Sequence, residues 1–137
     1  MDITVETTIN APIELVWDFW TSPEHITHWN FASDTWCCPK AENDVRPGGG
    51  FSWRMEAKDG SMGFDFEGMY QEVIPLKLIT SKLLDARKVS IHFTTKDNLV
   101  TVKETFESEN TNPIDLQRSG WQAILDNFKK HVESHKD

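Results

Sequence analysis

The sequence predicts an α+β domain. A curved antiparallel sheet of about six to seven strands wraps on one long C-terminal helix, with two short helices near the N-terminus. Three observations carry this. Alternating runs joined by tight polar turns fill the middle of the chain, which makes their strands antiparallel neighbours. The last stretch instead repeats its apolar residues at helical spacing. A proline-punctuated helical stretch separates the first alternating run from the others.

Residues 2–10 alternate, with Ile3, Val5, Thr7 and Ile9 on one face and Asp2, Thr4, Glu6 and Thr8 on the other. That pattern is a half-buried strand. Asn10-Ala11-Pro12 stops it and opens a helix, with Pro12 near the first helical position. Ile13, Val16, Trp17 and Trp20 recur at helical spacing. Thr21-Ser22-Pro23 breaks that helix and caps a second, whose apolar positions are Ile26 and Trp29. A strand is expected around Ser33–Cys37, then a polar loop to Asp44.

The central feature is a hairpin after the glycine run Gly48-Gly49-Gly50. Asp59-Gly60 between two alternating runs is a strong hairpin signal. With that pair at the tip, Met55 faces Phe64, Trp53 faces Phe66, Phe51 faces Gly68, and Arg54 lies opposite Asp65 on the other side. A slip of one residue would exchange apolar for charged side chains, so the register is well specified. The second arm runs to Pro75, and Leu76–Leu84 is the next strand. Val89–Thr95 and Leu99–Phe106 pair across Asp97-Asn98, which sets Phe93 against Val102, Val89 against Phe106, and Ile91 against Glu104. Asn112-Pro113 opens the last helix, running to about His135 with Ile114, Trp121, Ile124, Leu125, Phe128 and Val132 on one stripe. Gly120 inside it costs about 1 kcal/mol relative to alanine, and is read as letting the helix approach the sheet closely.

At 137 residues the chain is one domain, 1–137. Its net charge of −8 and the lack of a basic stripe argue against nucleic acid and anionic membrane surfaces as partners. No signal segment or bilayer-spanning run is present, so the expectation is a cytoplasmic protein without membrane insertion. The neighbours Cys37 and Cys38 are the only cysteines and are read as reduced. Six Trp and eight Phe are many for this length. A curved sheet gripping one helix leaves space beside the two short helices, which Trp17, Trp20, Trp29, Trp53, Phe66 and Trp121 would line.

Several local motifs in this order resemble the START/Bet v 1-like (SRPBCC) superfamily. Within it the chain is most similar to the family related to the C-terminal domain of the activator of Hsp90 ATPase (AHSA1-like). The carrying residues are Ala11-Pro12 with Val16-Trp17, Pro23 and Trp29, Arg46-Pro47-Gly48-Gly49, Asp59-Gly60, Gly68–Pro75, and Gly120-Trp121. The resemblance implies a helix-grip fold with a cavity that takes a small hydrophobic molecule. The co-chaperone activity in the family's name belongs to a longer protein with a separate N-terminal domain. This chain has no room for that domain, so Hsp90 activation is not carried over.

With that cavity in view, the expected ligand-binding residues are Trp17, Trp20, Trp29, Phe51, Trp53, Met55, Phe64, Phe66, Tyr70, Trp121, Leu125 and Phe128. The competing reading is a closed core. An enzyme of the cyclase or hydrolase type would need an acid/base inside the cavity, and Glu72, Glu104 and Tyr70 are the nominees. Glu72 and Tyr70 share parity with Phe66, so they face inward unless a bulge intervenes. Glu72 otherwise reads as a solvated strand end. His25, His28, His131 and His135 are placed in solvent, and no metal ligand set is read. No nucleophile elbow or phosphate loop is present, and no cofactor is expected. The first expectation is therefore binding of a small hydrophobic ligand. The alternatives are an enzyme or a chaperone-associated interaction protein.

Overall fold

The computed structural model describes residues 1–135. Strand β1 (Asp2–Ile9) leads into helices α1 (Ile13–Thr21) and α2 (Pro23–Ile26). Six strands follow: β2 (Trp36–Asn43), β3 (Gly50–Ala57), β4 (Gly63–Ile74), β5 (Leu78–Leu83), β6 (Lys88–Lys96) and β7 (Leu99–Glu107). Helix α3 (Ile114–His135) closes the described chain. The seven strands form one antiparallel sheet in the order β1-β7-β6-β5-β4-β3-β2. Only the β1 to β7 neighbour pair is distant in sequence; every other neighbour is a hairpin partner.

Alternation built both hairpin registers as expected. Met55 pairs with Phe64, Trp53 with Phe66, Phe51 with Gly68, and Arg54 with Asp65. The tip differs. Ala57 N–H donates to Met62 O at 2.9 Å, so four residues, 58–61, make the turn rather than Asp59-Gly60 alone. In the β6–β7 hairpin, Asp97 and Asn98 both take positive φ, 53° and 64°, as a two-residue turn matched to strand twist requires. Ile91 and Glu104 stand opposite each other there.

Two expectations about strands are corrected. β2 covers Trp36–Asn43, not 33–37, and replaces most of the expected polar loop. Its pairing with β3 shifts between Cys37 and Lys40, across Pro39. A proline supplies no main-chain donor and is tolerated because β2 is an edge strand. The second correction is a bulge in β4. Tyr70 pairs with Ser81 but Glu72 pairs with Thr80, so one residue of β4 is unmatched. The extra residue reverses parity, which turns Glu72 to solvent while Tyr70 stays buried.

Gly68 shows how tightly the middle of the sheet is packed. A Cβ there would lie 2.7 Å from Lys82 O and 2.7 Å from the Phe51 ring. Helix α3 is tied to the rest by side chains along its length. Gln122 Nε2 donates to Glu6 O (3.0 Å), Asn127 Nδ2 to Phe31 O (2.6 Å), and Asn10 N–H to Glu133 Oε2 (2.9 Å). The core lies between the helix and the concave face. Ile3, Ile9, Val16, Ile26, Val100, Val102, Leu125, Phe128 and Val132 are fully buried there.

Candidate functional site

A cavity of about 320 Å³ opens between the concave face of the sheet and the first half of α3. Its wall begins where β3 and β4 present alternate side chains inward. Trp53 and Met55 come from β3, and Phe64 and Phe66 from β4. The turn after α2 adds Trp29 and Asn30, and α1 adds Trp20 at its end. From α3 come Leu116, Gln117, Gly120, Trp121 and Ile124, which recur at three- and four-residue spacing and so share one face. Phe64 and Leu116 are 50% and 58% exposed and mark the mouth, near Arg87 and Glu109.

The rings form a connected belt. Trp20 and Trp29 lie 4.8 Å apart, Trp29 and Trp53 5.9 Å, Trp53 and Phe66 5.9 Å, and Phe66 and Trp121 5.9 Å. Trp121 is itself held flat on Phe106, with centroids 3.8 Å apart and planes at 10°. Trp29 is fixed by its Nε1–H, which donates to Phe19 O at 3.0 Å. Each ring is therefore held by a neighbour, and the wall is preorganised.

Seven of the expected binding residues border this space: Trp20, Trp29, Trp53, Met55, Phe64, Phe66 and Trp121. The other five lie off it. Trp17 packs edge-on against Phe93 (5.2 Å), one face along α1 from Trp20. Phe51 is buried beside Gly68. Tyr70 is buried, and its hydroxyl donates to Asn43 Oδ1. Burial pushes its phenol pKa up, so it stays protonated and already has its acceptor. Leu125 and Phe128 are fully buried in the packed core. Gly120 also corrects its expected role. A Cβ there would meet nothing within 4 Å, so the glycine borders open space rather than a close helix–sheet contact.

Of the acid/base nominees only Glu104 faces the cavity. Its side chain projects from β7 between Val5 and Ile91, and it is 7% exposed. It makes no hydrogen bond or ion pair among the described residues. Desolvation raises its pKa from 4.5 to about 8, so the group is mostly a neutral acid at pH 7. Asn30 is 4% exposed and directs its Nδ2 to Met55 Sδ (3.0 Å) and Cys38 Sγ (3.7 Å). Its Oδ1 accepts no hydrogen bond among the described residues. Gln117, by contrast, is fully occupied: it accepts from Glu109 N–H and donates to Glu109 O and Asn112 O. Trp53 Nε1–H is buried without a partner.

The sequence missed Asn30, Gln117 and Leu116 as wall residues. The α3 members were legible in the spacing 116, 117, 120, 121, 124, which Gly120 and Gln117 disguise as a polar face. Asn30 has no such signal, since it follows a four-residue helix. Two of the histidines, His25 and His131, are a second correction, while His28 and His135 are exposed as expected. His25 Nδ1 lies 3.0 Å from His131 Nε2, and His28 stacks over His131 with planes at 5°. His25 and His131 are half-buried where α2 meets α3. Desolvation, then the charges of His135, His25 and His28, pull the His131 pKa down to about 4. Sequence spacing cannot bring two helices together, which is why these four looked separate. Among the described residues, no group of three or more His, Cys, Asp or Glu has a metal-holding arrangement.

The chain matches the family described as activator of Hsp90 ATPase homolog 1-like protein over residues 10–133. Among solved structures, an AHSA1-like protein from Aeromonas hydrophila is 40% identical with a TM-score of 0.91, covering 98% of this chain and 93% of its own. Chr148 from Cytophaga hutchinsonii is 49% identical with a TM-score of 0.85, covering 97% and 92%. Protein CV1439 from Chromobacterium violaceum, 23% identical with a TM-score of 0.85 and coverage of 97% and 98%, shares the fold. No functionally curated protein matches the chain.

Proposed function

Because the chain belongs to the AHSA1-like family of the START/Bet v 1-like superfamily and has its helix-grip fold, we propose that it binds a small hydrophobic or aromatic molecule between the sheet and α3. The observation that carries this is the cavity of about 320 Å³ with its belt of held rings. Its size falls at the lower end of the range for small-molecule sites, about 300–1,000 Å³, and its wall is apolar with few polar groups, as such sites are. The ligand-contacting residues in this reading are the seven that border the space, with Leu116, Gly120 and Ile124.

An enzyme of the cyclase or hydrolase type is the alternative, and Glu104 is the nominee that reaches the cavity. It has no basic partner among the described residues, whereas a working pair would set two titratable groups against each other. Binding is therefore the preferred reading. No helix among the described residues is long and apolar enough to cross a membrane, and a cytoplasmic binding protein remains part of the proposal. Docking on a chaperone is the remaining alternative. Failure of every small molecule in a broad thermal-shift library to stabilise the protein would favour it.

The direct test uses naphthalene-sized probes and tryptophan fluorescence. Quenching that saturates in the native chain, and disappears in Gly120→Leu with the melting temperature kept, is the expected result. Position 120 suits this because a side chain there grows into open space. Saturable quenching that Gly120→Leu leaves intact would move the site elsewhere.

A further inference from the structure

Given the cavity-binding reading on which it rests, we propose that the occupant is a lipophilic amine, bound as its ammonium ion with Glu104 as counter-ion and the tryptophan faces as its surround. The polar equipment inside the cavity points this way. Glu104 is a carboxyl with no partner of its own, 7% exposed and bordering the space. Asn30, 4% exposed and also on the wall, has spent its N–H donors on two sulfurs and keeps its oxygen unengaged. Both groups lack a donor. Both are buried residues on the cavity wall whose acceptor oxygens take no hydrogen bond from the described residues, so a ligand donor would gain a bond there without displacing one.

Among the described residues no wall donor bonds to Glu104 or to Asn30 Oδ1, although Trp53 Nε1–H on the same wall is buried and unpartnered. Gln117 Nε2 is committed to Glu109 O and Asn112 O. Arg87 is at the mouth, where its Nε donates to Asp85 Oδ2 (2.7 Å) and one terminal nitrogen to Glu107 O (3.3 Å). Glu109, the other titratable group on the wall, accepts from Asn112. The strand neighbours of Glu104 are Val5 and Ile91, both apolar. A ligand ammonium would therefore find the Glu104 carboxyl without a competing partner among the described residues, with Asn30 on the same wall.

The rings fit the same ligand. Indole offers the most favourable face for a cation among side chains, and the attraction strengthens as water is excluded. Trp20, Trp29, Trp53 and Trp121 all border the cavity. A net charge of −8 favours the approach of a cation over an anion. An anionic ligand would be set against the Glu104 carboxyl, with Trp53 Nε1–H as the unpartnered buried donor on the wall and Arg87 at the mouth.

Binding transfers no covalent bond. The Glu104 proton leaves to solvent and the ammonium takes its place as partner to the carboxylate. Uptake of the amine is thus linked to proton release wherever Glu104 is protonated in the free protein.

The experiment is titration calorimetry of the full chain with three probes of one shape: naphthylmethylamine, naphthylmethanol and naphthoate. The amine is expected to bind at least about tenfold tighter than the alcohol, and naphthoate weakest. Repeating the amine titration in buffers of different ionisation enthalpy should show release of about one proton per ligand near pH 7. Amine affinity should rise from about pH 6 to about pH 8 and then level off. In Glu104→Gln the preference for amine over alcohol and the proton release should both vanish while the alcohol still binds. Equal binding of all three probes by the native chain, or amine binding without proton release, would overturn the amine assignment and leave the cavity reading standing. Binding of none of them would count against the cavity reading itself.

Discussion

Helix α3 carries two different interiors. From Leu125 to Val132 it is solid: Leu125, Phe128 and Val132 are fully buried, and Phe128 meets Trp20 and Trp29 edge-on at 4.9 and 4.8 Å. From Leu116 to Ile124 it is hollow: Gly120 faces open space, and Trp121, stacked on Phe106 and edge-on to Phe66, borders the cavity. The same amphipathic pattern runs through both halves. What differs is what stands opposite: the solid half packs on the Trp20 and Trp29 rings, and the hollow half faces Trp53, Met55, Phe64 and Phe66 of the β3–β4 hairpin across the cavity. A helical stripe therefore reports which face is inward, not whether the inside is filled.

Adjacent residues give the largest test of this contrast. Leu125→Ala empties a packed site and should cost about 2–5 kcal/mol, while Ile124→Ala on the cavity wall should cost only about 1 kcal/mol. Urea denaturation at neutral pH measures both. Equal losses would mean the two halves are packed alike.

The next effect concerns pH. Glu104 has a folded pKa raised to about 8 from 4.5 by burial. Its favourable contribution is therefore complete below about pH 4.5 and is lost as pH rises through about 8. Glu104→Gln should remove that slope and leave the variant more stable than the native chain at about pH 9. Chemical denaturation at several pH values reads this directly. A native slope unchanged in the variant would mean the carboxyl is not the group responsible.

The smallest effect is the most local. Gly120→Ala should stabilise the helix by about 0.5–1 kcal/mol, because the new methyl group meets nothing and the helix loses a flexible residue. The same change at Gly68 should destabilise, since its Cβ would press on Lys82 O and the Phe51 ring. Melting temperatures that move in the same direction for both would erase the distinction.

The registers at Trp53–Phe66 and Ile91–Glu104 were legible in the sequence because alternation and turn residues are local signals. So was the inward parity of Glu104. Less local features were not. The β4 bulge that sends Glu72 outward depends on how β5 pairs, and the strand across Pro39 depends on β3 being available. Seven of the side chains assigned to a pocket, six of them rings, border one. Phe51, Leu125 and Phe128 show the limit of that assignment, because an aromatic or leucine on an inward face is the same letter in a wall as in a packed centre. The polar members of the wall were the least visible. Asn30 is recognisable only once its partners, Met55 and Cys38, are in place.

The shift in pairing at Pro39 has an effect beyond the single chain. β2 is the outermost strand on its side, and a full, flat row of free main-chain groups there would invite a second molecule to zip on. One missing amide and a local kink deny that template its continuity. The flank of a long, ring-rich sheet is thus a poorer template for a second strand than an unbroken edge would be.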